Sequence, residues 1–174
     1  MSNLQFIKSS STTSNVSSLT VEDCFTAQYN IYKCTLEINE VGTELAIETR
    51  LLNSSGAVTS SNYDIAYSFF RAGSGTYSDG TYSNLDKWQY TMYNEGSVGG
   101  FYAMYVYQPF DSSEYTFANL KMSSSYLASS TTVLMAREGV GVLKVAESHT
   151  GITIYAGSSN ITDATLTVYG CNDV

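Results

Sequence analysis

The sequence contains little proline, histidine or charge, and each shortage narrows the structures and activities open to it. Its 174 residues include one proline and one histidine, His149. A single histidine excludes a histidine-rich metal centre and disfavours a nucleophile that depends on a histidine base. We expect His149 to be a surface or turn residue. Disorder is also disfavoured, because disordered chains have few aromatic residues and this one has 15 tyrosines.

Charged residues make up only 14% of the chain, against roughly 25% in ordinary soluble domains. The polar surface must therefore come from serine, threonine, asparagine and tyrosine hydroxyls. The net charge is −8, for which solubility alone is a sufficient explanation. A protein of this sign repels the phosphates of nucleic acid and of anionic membranes. No apolar run approaches the ~20 residues of a membrane span. We therefore expect neither nucleic acid nor membrane insertion.

Targeting and redox motifs are missing as well. The start, Met1-Ser2-Asn3-Leu4, lacks the charged and apolar regions of a secretory signal, which predicts synthesis in a cytoplasm. The cysteines, Cys24, Cys34 and Cys171, are odd in number and have no CxxC spacing, so no zinc ribbon or redox motif is present. We expect Cys34 to be a buried small hydrophobe. A Cys24–Cys34 bridge is the less favoured alternative, because cytoplasmic thiols stay reduced.

Alternation of apolar and polar residues predicts β-strands along most of the chain. Clear examples run from Tyr29 to Ile38 and from Asn62 to Arg71. The predicted strands number about nine to eleven and recur at roughly ten- to fifteen-residue spacing, typical of sandwiches and barrels. No stretch has the 3.6-residue period of a helix. We predict one all-β domain over residues 1–174, an antiparallel, jelly-roll-like β-sandwich, with residues 1–15 as a candidate N-terminal arm.

The most regular alternation lies between Thr150 and Gly170. Two runs, residues 152–155 and residues 164–169, flank the break Ala156-Gly157-Ser158-Ser159-Asn160. Two period-2 runs around a turn of this composition predict a β-hairpin. One face of each strand is apolar, so we expect that face to lie on the core.

The central stretch Gly73 to Asn84 interleaves glycine, serine and aspartate with tyrosine. Binding loops use this composition, because tyrosine gives contact area at low entropic cost while glycine and serine adapt. Two interpretations stay open, a plain connection between strands and a binding loop. In the second, the candidate contacts with a glycan or a partner are Tyr77, Tyr82 and Trp88. The single tryptophan is a platform for a sugar face if it is exposed, and a core residue if it is buried.

The segment from Ser97 to Phe110 is the most aromatic, with large apolar residues on both faces. Strands of this kind are covered on both sides. We expect one face to meet the core and the other to meet a neighbouring subunit. Pro109 ends this strand, because it cannot donate a hydrogen bond to the ladder.

No catalytic motif is present: the sequence has no Gly-x-Ser-x-Gly elbow, Walker loop or dinucleotide fingerprint. Asp79 and Asp86 offer oxygen ligands for calcium, but not at EF-hand spacing. Carboxylates close in sequence are potential pairs for glycoside hydrolysis, although nothing distinguishes them from solvated charges; they are Glu44 with Glu48, and Asp111 with Glu114. We therefore predict no catalytic residue, no metal and no cofactor.

Both ends of the chain carry short motifs. Phe6-Ile7-Lys8 leads into a Ser/Thr-rich spacer, CFTAQYNIYK follows at residues 24–33, and the chain closes with NITDATLTVYG at residues 160–170. These ends resemble those of small phage virion structural proteins of the tail-fibre or head-decoration type, while the middle is similar only in texture. The resemblance implies a β-rich virion component and brings no catalytic motif.

The expected function is therefore that of a non-enzymatic phage virion protein, made in the host cytoplasm and located on the particle. Two roles remain open within it: a fibre or knob that contacts a host surface glycan, and a capsid or tail decoration that contacts other virion proteins. A free-standing carbohydrate-binding module is the alternative. We also expect a homo-oligomer, with a trimer favoured by analogy with jelly-roll virion modules.

Overall fold

A computed structural model describes residues 3–40, 45–73, 75–94, 99–128, 131–157 and 160–172. Within these ranges the chain forms thirteen β-strands and no helix. All strand pairs are antiparallel, and the strands form an eight-stranded and a five-stranded sheet. The predicted all-β, antiparallel, jelly-roll-like sandwich is confirmed. Among the residues described, no helix has the length and hydropathy needed to cross a membrane.

The eight-stranded sheet has two free edges, its first and last strands. Its order is β1 (Leu4–Thr12), β13 (Asp163–Cys171), β3 (Ile31–Glu40), β9 (Gly100–Tyr107), β10 (Thr116–Ala128), β11 (Thr131–Leu143), β6 (Tyr63–Arg71) and β7 (Thr76–Leu85). The smaller sheet has the order β2 (Ser18–Val21), β12 (Gly151–Ala156), β4 (Leu45–Asn53) and β5 (Gly56–Ala57), with β8 (Trp88–Asn94) also paired to β4.

The core lies between the two sheets. Successive side chains of a strand point to opposite faces, so each strand buries every second residue. From the larger sheet, β3 contributes a fully buried set, Tyr32, Cys34, Leu36 and Ile38. The smaller sheet faces it with Ile47, Leu51, Ile152 and Ile154. Burial of each such side chain stabilises the fold by about 1.5–3 kcal/mol.

None of the three cysteines, all within the described residues, forms a disulfide. Burial raises the pKa of Cys24 to about 12 and also raises the pKa of Cys34. Both thiols are therefore protonated and unreactive at neutral pH, and they pack as small hydrophobes. The expectation for Cys34 is confirmed.

The hairpin predicted near the end of the chain is wrong in its pairing. Both runs are strands, but β12 pairs with β2 and β4, whereas β13 pairs with β1 and β3. The connection between them crosses from one sheet to the other. Ile154 and Leu166 therefore reach the core from opposite sides. Alternation specifies which face of a strand is buried, but the pairing partners decide which sheet the strand joins.

The stretch Gly73 to Asn84 is mostly a strand. Thr76–Leu85 is β7, which pairs with β6. The turn before it is short and includes Gly73 and Gly75, both at positive φ. Gly80 fits within the strand because the Tyr67 ring occupies the place of a side chain, 2.7 Å from an ideal Cβ.

The candidate N-terminal arm also takes part in the sheet. Leu4–Thr12 forms the edge strand β1, which pairs with β13 from Leu4 to Thr12. A β-bulge interrupts this ladder between Phe6 and Lys8. This part of the arm is thus ordered by its own chain.

Candidate functional site

The ladder register aligns the solvent-facing side chains of the eight-stranded sheet in rows, because opposed residues of an antiparallel pair share a face. One row crosses all eight strands, with Phe6, Tyr169, Lys33, Tyr105, Asn119, Val140, Ala66 and Thr81. The next row has Ser9, Thr167, Thr35, Ala103, Lys121, Glu138, Ser68 and Asp79. We call this surface the outer face.

The outer face carries most of the exposed large apolar side chains of the described chain. They are Leu4, Phe6, Phe70, Tyr77, Phe101, Tyr105, Phe117, Leu134 and Val140. A surface this rich in exposed apolar groups is typical of an interaction site.

A groove of about 700 Å³ lies in the outer face and crosses β9, β10, β11, β6 and β7. Five strands correspond to a length of roughly 19 Å, since neighbouring strands lie about 4.8 Å apart. Several residues that line it have small side chains, including Ala66, Ser68 and Ala103. A smaller apolar hollow of about 330 Å³ continues it and is lined in part by Phe117. The groove is therefore elongated and suits an extended ligand.

The two ends of the groove differ chemically. At the β9 end, Tyr105 and Tyr107 line it, and Lys33 Nζ lies 5.8 Å from the centre of the Tyr105 ring. At the β7 end the lining includes Asp79 and Thr81. Two tyrosine rings thus lie at the β9 end, and a carboxylate and a hydroxyl lie at the β7 end.

Further polar groups lie between these ends. Asn119 Nδ2 donates a hydrogen bond to Tyr107 Oη at 3.1 Å. Lys121 Nζ lies 3.7 Å from Glu138 Oε2, and both side chains are mostly exposed. An exposed ion pair of this kind contributes little to stability, so both groups can turn to a ligand at low cost. Aromatic faces beside amide, carboxylate and ammonium groups suit a ligand that has both apolar faces and hydroxyl groups.

Tyr77 and Tyr82 both lie on β7 but point to opposite faces. Tyr77 is opposite Phe70 on the outer face and is 71% exposed. Tyr82 is opposite Ile65 in the inward-facing set, with its ring 6.2 Å from that of Tyr67. Residues an odd number of positions apart on a regular strand face opposite ways. These tyrosines therefore do not form one contact surface; Tyr82 lines the smaller hollow and not the groove.

Trp88 is a core residue, so its candidate role as a surface contact is corrected. Its side chain is 0% exposed. The indole Nε1 donates to the Val142 carbonyl at 3.2 Å, and the ring meets Tyr63 edge-on at 5.4 Å. Gly141 provides the space, since a Cβ there would lie 2.7 Å from Nε1.

The aromatic segment is covered on one face only. In β9, Tyr102, Met104 and Val106 are fully buried, whereas Phe101 and Tyr105 are exposed. The predicted contact of one face with the core is confirmed, and the outward set lies on the outer face and lines part of the groove. Contact of that set with a neighbouring subunit stays a prediction.

Three of the acidic residues considered for chemistry have partners of their own. Lys87 Nζ lies 2.8 Å from Glu48, and Arg50 pairs with Asp86. Hydrogen bonds from Ser113 hold the pKa of Asp111 below its usual value. Glu44 lies outside the described residues. Within the part of the chain that the structure describes, no three His, Cys, Asp or Glu side chains gather as metal ligands.

His149 is buried, so its prediction as a surface residue is wrong. Its Nδ1 lies 3.0 Å from Thr116 Oγ1, and its backbone N–H donates to Pro109 O at 2.7 Å. The ring Nε2 lies 3.5 Å from Glu147 Oε1. Burial lowers the pKa of His149. The histidine does not line the groove.

Comparison with known proteins adds little to this description. No protein-family model matches the chain, and no curated protein matches it. Among solved structures, the PL-14 alginate lyase from Aplysia kurodai aligns at a TM-score of 0.39 and 7% identity, covering 95% of this chain and 97% of that one. The CBM2 module of the evolved Dit of Lactobacillus casei BL23 phage J-1 aligns at 0.28 and 8%, covering 90% and 70%. At these TM-scores neither likeness bears on function.

Proposed function

We propose that this protein is a non-enzymatic glycan-binding β-sandwich that serves as a structural component of a phage particle. The groove in the outer face supports the binding role. A sugar ring has apolar faces and a rim of hydroxyl groups, so it suits tyrosine rings beside hydrogen-bonding side chains. Tyr105 and Tyr107 supply the rings, and Asn119, Glu138 and Asp79 supply the hydrogen-bonding groups.

The charge around the groove favours a neutral glycan. The carboxylates Glu138 and Asp79 balance the cations Lys121 and Lys33 in and beside the groove, and the whole chain has a net charge of −8. An anionic polysaccharide would meet a repulsive field. The elongated groove suits an internal stretch of a linear chain better than a single terminal sugar.

A glycan array tests the binding role. Tyr105→Ala removes a ring that lines the groove, and we expect roughly tenfold weaker binding from the loss of stacking. Tyr77→Ala is the matched control, because Tyr77 is exposed on the same face but does not line the groove. Equal losses in both variants, or no glycan bound by the parent protein, would contradict the proposal.

The non-enzymatic part rests on the groove's chemistry. The single histidine is buried elsewhere, and Glu138 lies beside Lys121 in an exposed ion pair. A glycan that binds the array is incubated with the protein and assayed for new reducing ends and for unsaturated products. We expect neither, and sustained release of either would contradict this part.

The place on a phage particle is supported by the resemblance of the two chain ends to virion proteins. Quantitative mass spectrometry of purified virions tests it by comparing copy number with that of the major capsid protein. A comparable copy number indicates a decoration, and a few tens of copies or fewer indicate a fibre. Complete absence would reject the virion role and leave the free-standing carbohydrate-binding module.

One further observation supports the decoration role. Phe70, Phe101 and Leu134 are about half exposed on the outer face and do not line the groove. Apolar side chains of this size gain free energy when a protein surface covers them. A high copy number, together with protection of this region against hydroxyl-radical footprinting on the particle, would favour that role.

A further inference from the structure

The two edges of the eight-stranded sheet are protected unequally. β1 is interrupted by its bulge and carries Lys8, whose Nζ donates to the Glu22 carbonyl at 2.8 Å. β7 pairs with β6 without a register shift from Thr76 to Tyr82, and it contains neither proline nor a basic residue. Bulges, lysine and proline are the usual devices that stop an edge strand from pairing with another chain. β7 lacks all three along this stretch.

The exposure of β7 agrees with an open edge. Along β7, Tyr77, Asp79, Thr81 and Ser83 are all exposed. Among the described residues, only β6 pairs with β7. Alternate residues of an edge strand present their backbone N–H and C=O groups away from the sheet. The strand can therefore form backbone hydrogen bonds with a strand of another chain.

We propose that β7 pairs with β7 of a second copy, antiparallel, about a two-fold axis normal to the sheet at Gly80. Antiparallel pairing of the same strand closes on itself and yields a dimer. Centring on Gly80 places Asp79 opposite the partner's Thr81. Centring on Asp79 would instead oppose two carboxylates, and like charges directly opposite each other are destabilising. Of these two registers, the charge on β7 therefore favours the one centred on Gly80.

The pairing also changes the candidate site. Asp79 and Thr81 line the β7 end of the groove, so the partner strand would continue the outer face beyond that end. Because the axis is normal to the sheet, both grooves open to the same side. Two grooves on one rigid face give bivalent binding to a surface that presents many copies of a ligand.

The register predicts opposite effects for two substitutions at one exposed position. Thr81→Asp places a second carboxylate against Asp79 at both symmetry-related contacts, and we expect roughly tenfold weaker dimerisation. Thr81→Lys places an opposite charge there, and we expect dimerisation at least as strong as in the parent protein. Sedimentation equilibrium over a range of protein concentrations gives both constants without a glycan.

Ser9→Asp and Ser9→Lys are the matched controls, because Ser9 is exposed on β1 at the other edge of the same sheet. Neither should change the dimerisation constant. A parent protein that stays monomeric, or that forms a trimer, overturns the proposal. Equal effects of aspartate and lysine at Thr81 also overturn it. Association is measured without glycan, so this result is separate from success or failure of the glycan array.

Discussion

The outward surfaces of the two sheets follow the same alternation of side chains, yet they use their outward residues differently. On the smaller sheet several of these residues pair with one another or with the connection between β7 and β8. Arg50 pairs with Asp86, with its guanidinium 5.0 Å from the centre of the Tyr155 ring, and Thr20 and Thr153 share a hydrogen bond of 2.8 Å. On the larger sheet, Phe101 and Leu134 are exposed. The outward polar groups of the smaller sheet have partners in the chain, whereas the larger sheet leaves large apolar side chains exposed.

This difference predicts which substitutions change the stability of the fold and which change binding. Groups that are paired and partly buried lose their partners when one of them is replaced, so their removal costs folding free energy. Exposed apolar side chains are solvated in both the folded and the unfolded chain, so their removal costs little. We therefore expect substitutions between the sheets and on the smaller sheet to change stability, and those on the outer face to change binding.

The largest effect is expected between the sheets. Trp88→Ala removes a fully buried ring that lies against Tyr63 and the backbone of β11, and it should reduce the free energy of unfolding by about 3–5 kcal/mol. Tyr77→Ala, on the exposed side of β7, should stay within about 0.5 kcal/mol. Urea denaturation measures both. A Trp88→Ala loss below about 1 kcal/mol would contradict the position of the indole in the core.

A smaller effect on stability is expected when a charged residue on the outward surface of the smaller sheet is replaced, and almost none when one on the outer face is replaced. Arg50→Ala leaves Asp86 without its cation and exposes part of the Tyr155 ring, and we expect a loss of about 1 kcal/mol. Lys121→Ala removes a cation whose side chain is 81% exposed, and we expect almost no change. Thermal unfolding of the two variants measures the difference in stability. Equal losses would remove the distinction between the two surfaces.

Acidification should lower the stability of the fold through the buried His149. Burial lowers the pKa of His149 below the ordinary value of 6.5. Above pH 6.5 the imidazole is neutral in both states. Below it the unfolded chain takes up a proton that the folded protein does not, so stability falls by up to about 1.4 kcal/mol per pH unit until the lowered pKa is reached.

Stability measured between pH 7.5 and 5 tests this dependence, and His149→Gln is the control. That variant loses the only imidazole of the chain, so its stability should fall less steeply over the same range. An unchanged pH dependence in the variant would assign the effect to other groups.

The smallest change in stability is expected for an exposed aromatic residue of the outer face that lies outside the groove. Phe101→Ser removes a half-exposed ring that contributes little to the core, and its effect should be within about 0.5 kcal/mol. The same substitution should reduce the binding of a hydrophobic dye such as ANS, because it removes exposed apolar area. A large loss of stability would show that Phe101 packs against its own chain.

Much of the fold could be predicted from local alternation. The runs that form β3 and β6 are predicted as strands because one side of each is apolar, and these sides are the buried ones. The separation of β12 from β13 could not be predicted, because a short connection can turn within a sheet or cross between sheets. The Gly- and Ser-rich composition of β7 resembled that of a loop, yet pairing with β6 outweighed it.

The candidate site was harder to predict than the fold. Tyr105 and Tyr107 were visible as aromatic residues of one strand, but the groove requires β6, β7, β10 and β11 beside them, and sequence alone does not give that order. Trp88 is a candidate contact in the sequence because it is the only tryptophan, although large aromatic residues are usually buried. A sharper signal was β10, in which Asn119 and Lys121 alternate with apolar residues.

The place of β13 in the larger sheet has a consequence for the order in which the protein folds. Leu4 pairs with Cys171, so β1 must wait for one of the last strands of the chain before it finds its partner. Among the strands that carry the groove, β9 to β11 follow one another along the chain, as do β6 and β7, and the paired strands β6 and β11 lie about half as far apart in sequence as β1 and β13. Contacts between distant residues form slowly, because loop closure costs entropy first. We expect the groove half of the sheet to gain protection from hydrogen exchange early, and the β1–β13 edge to gain it last.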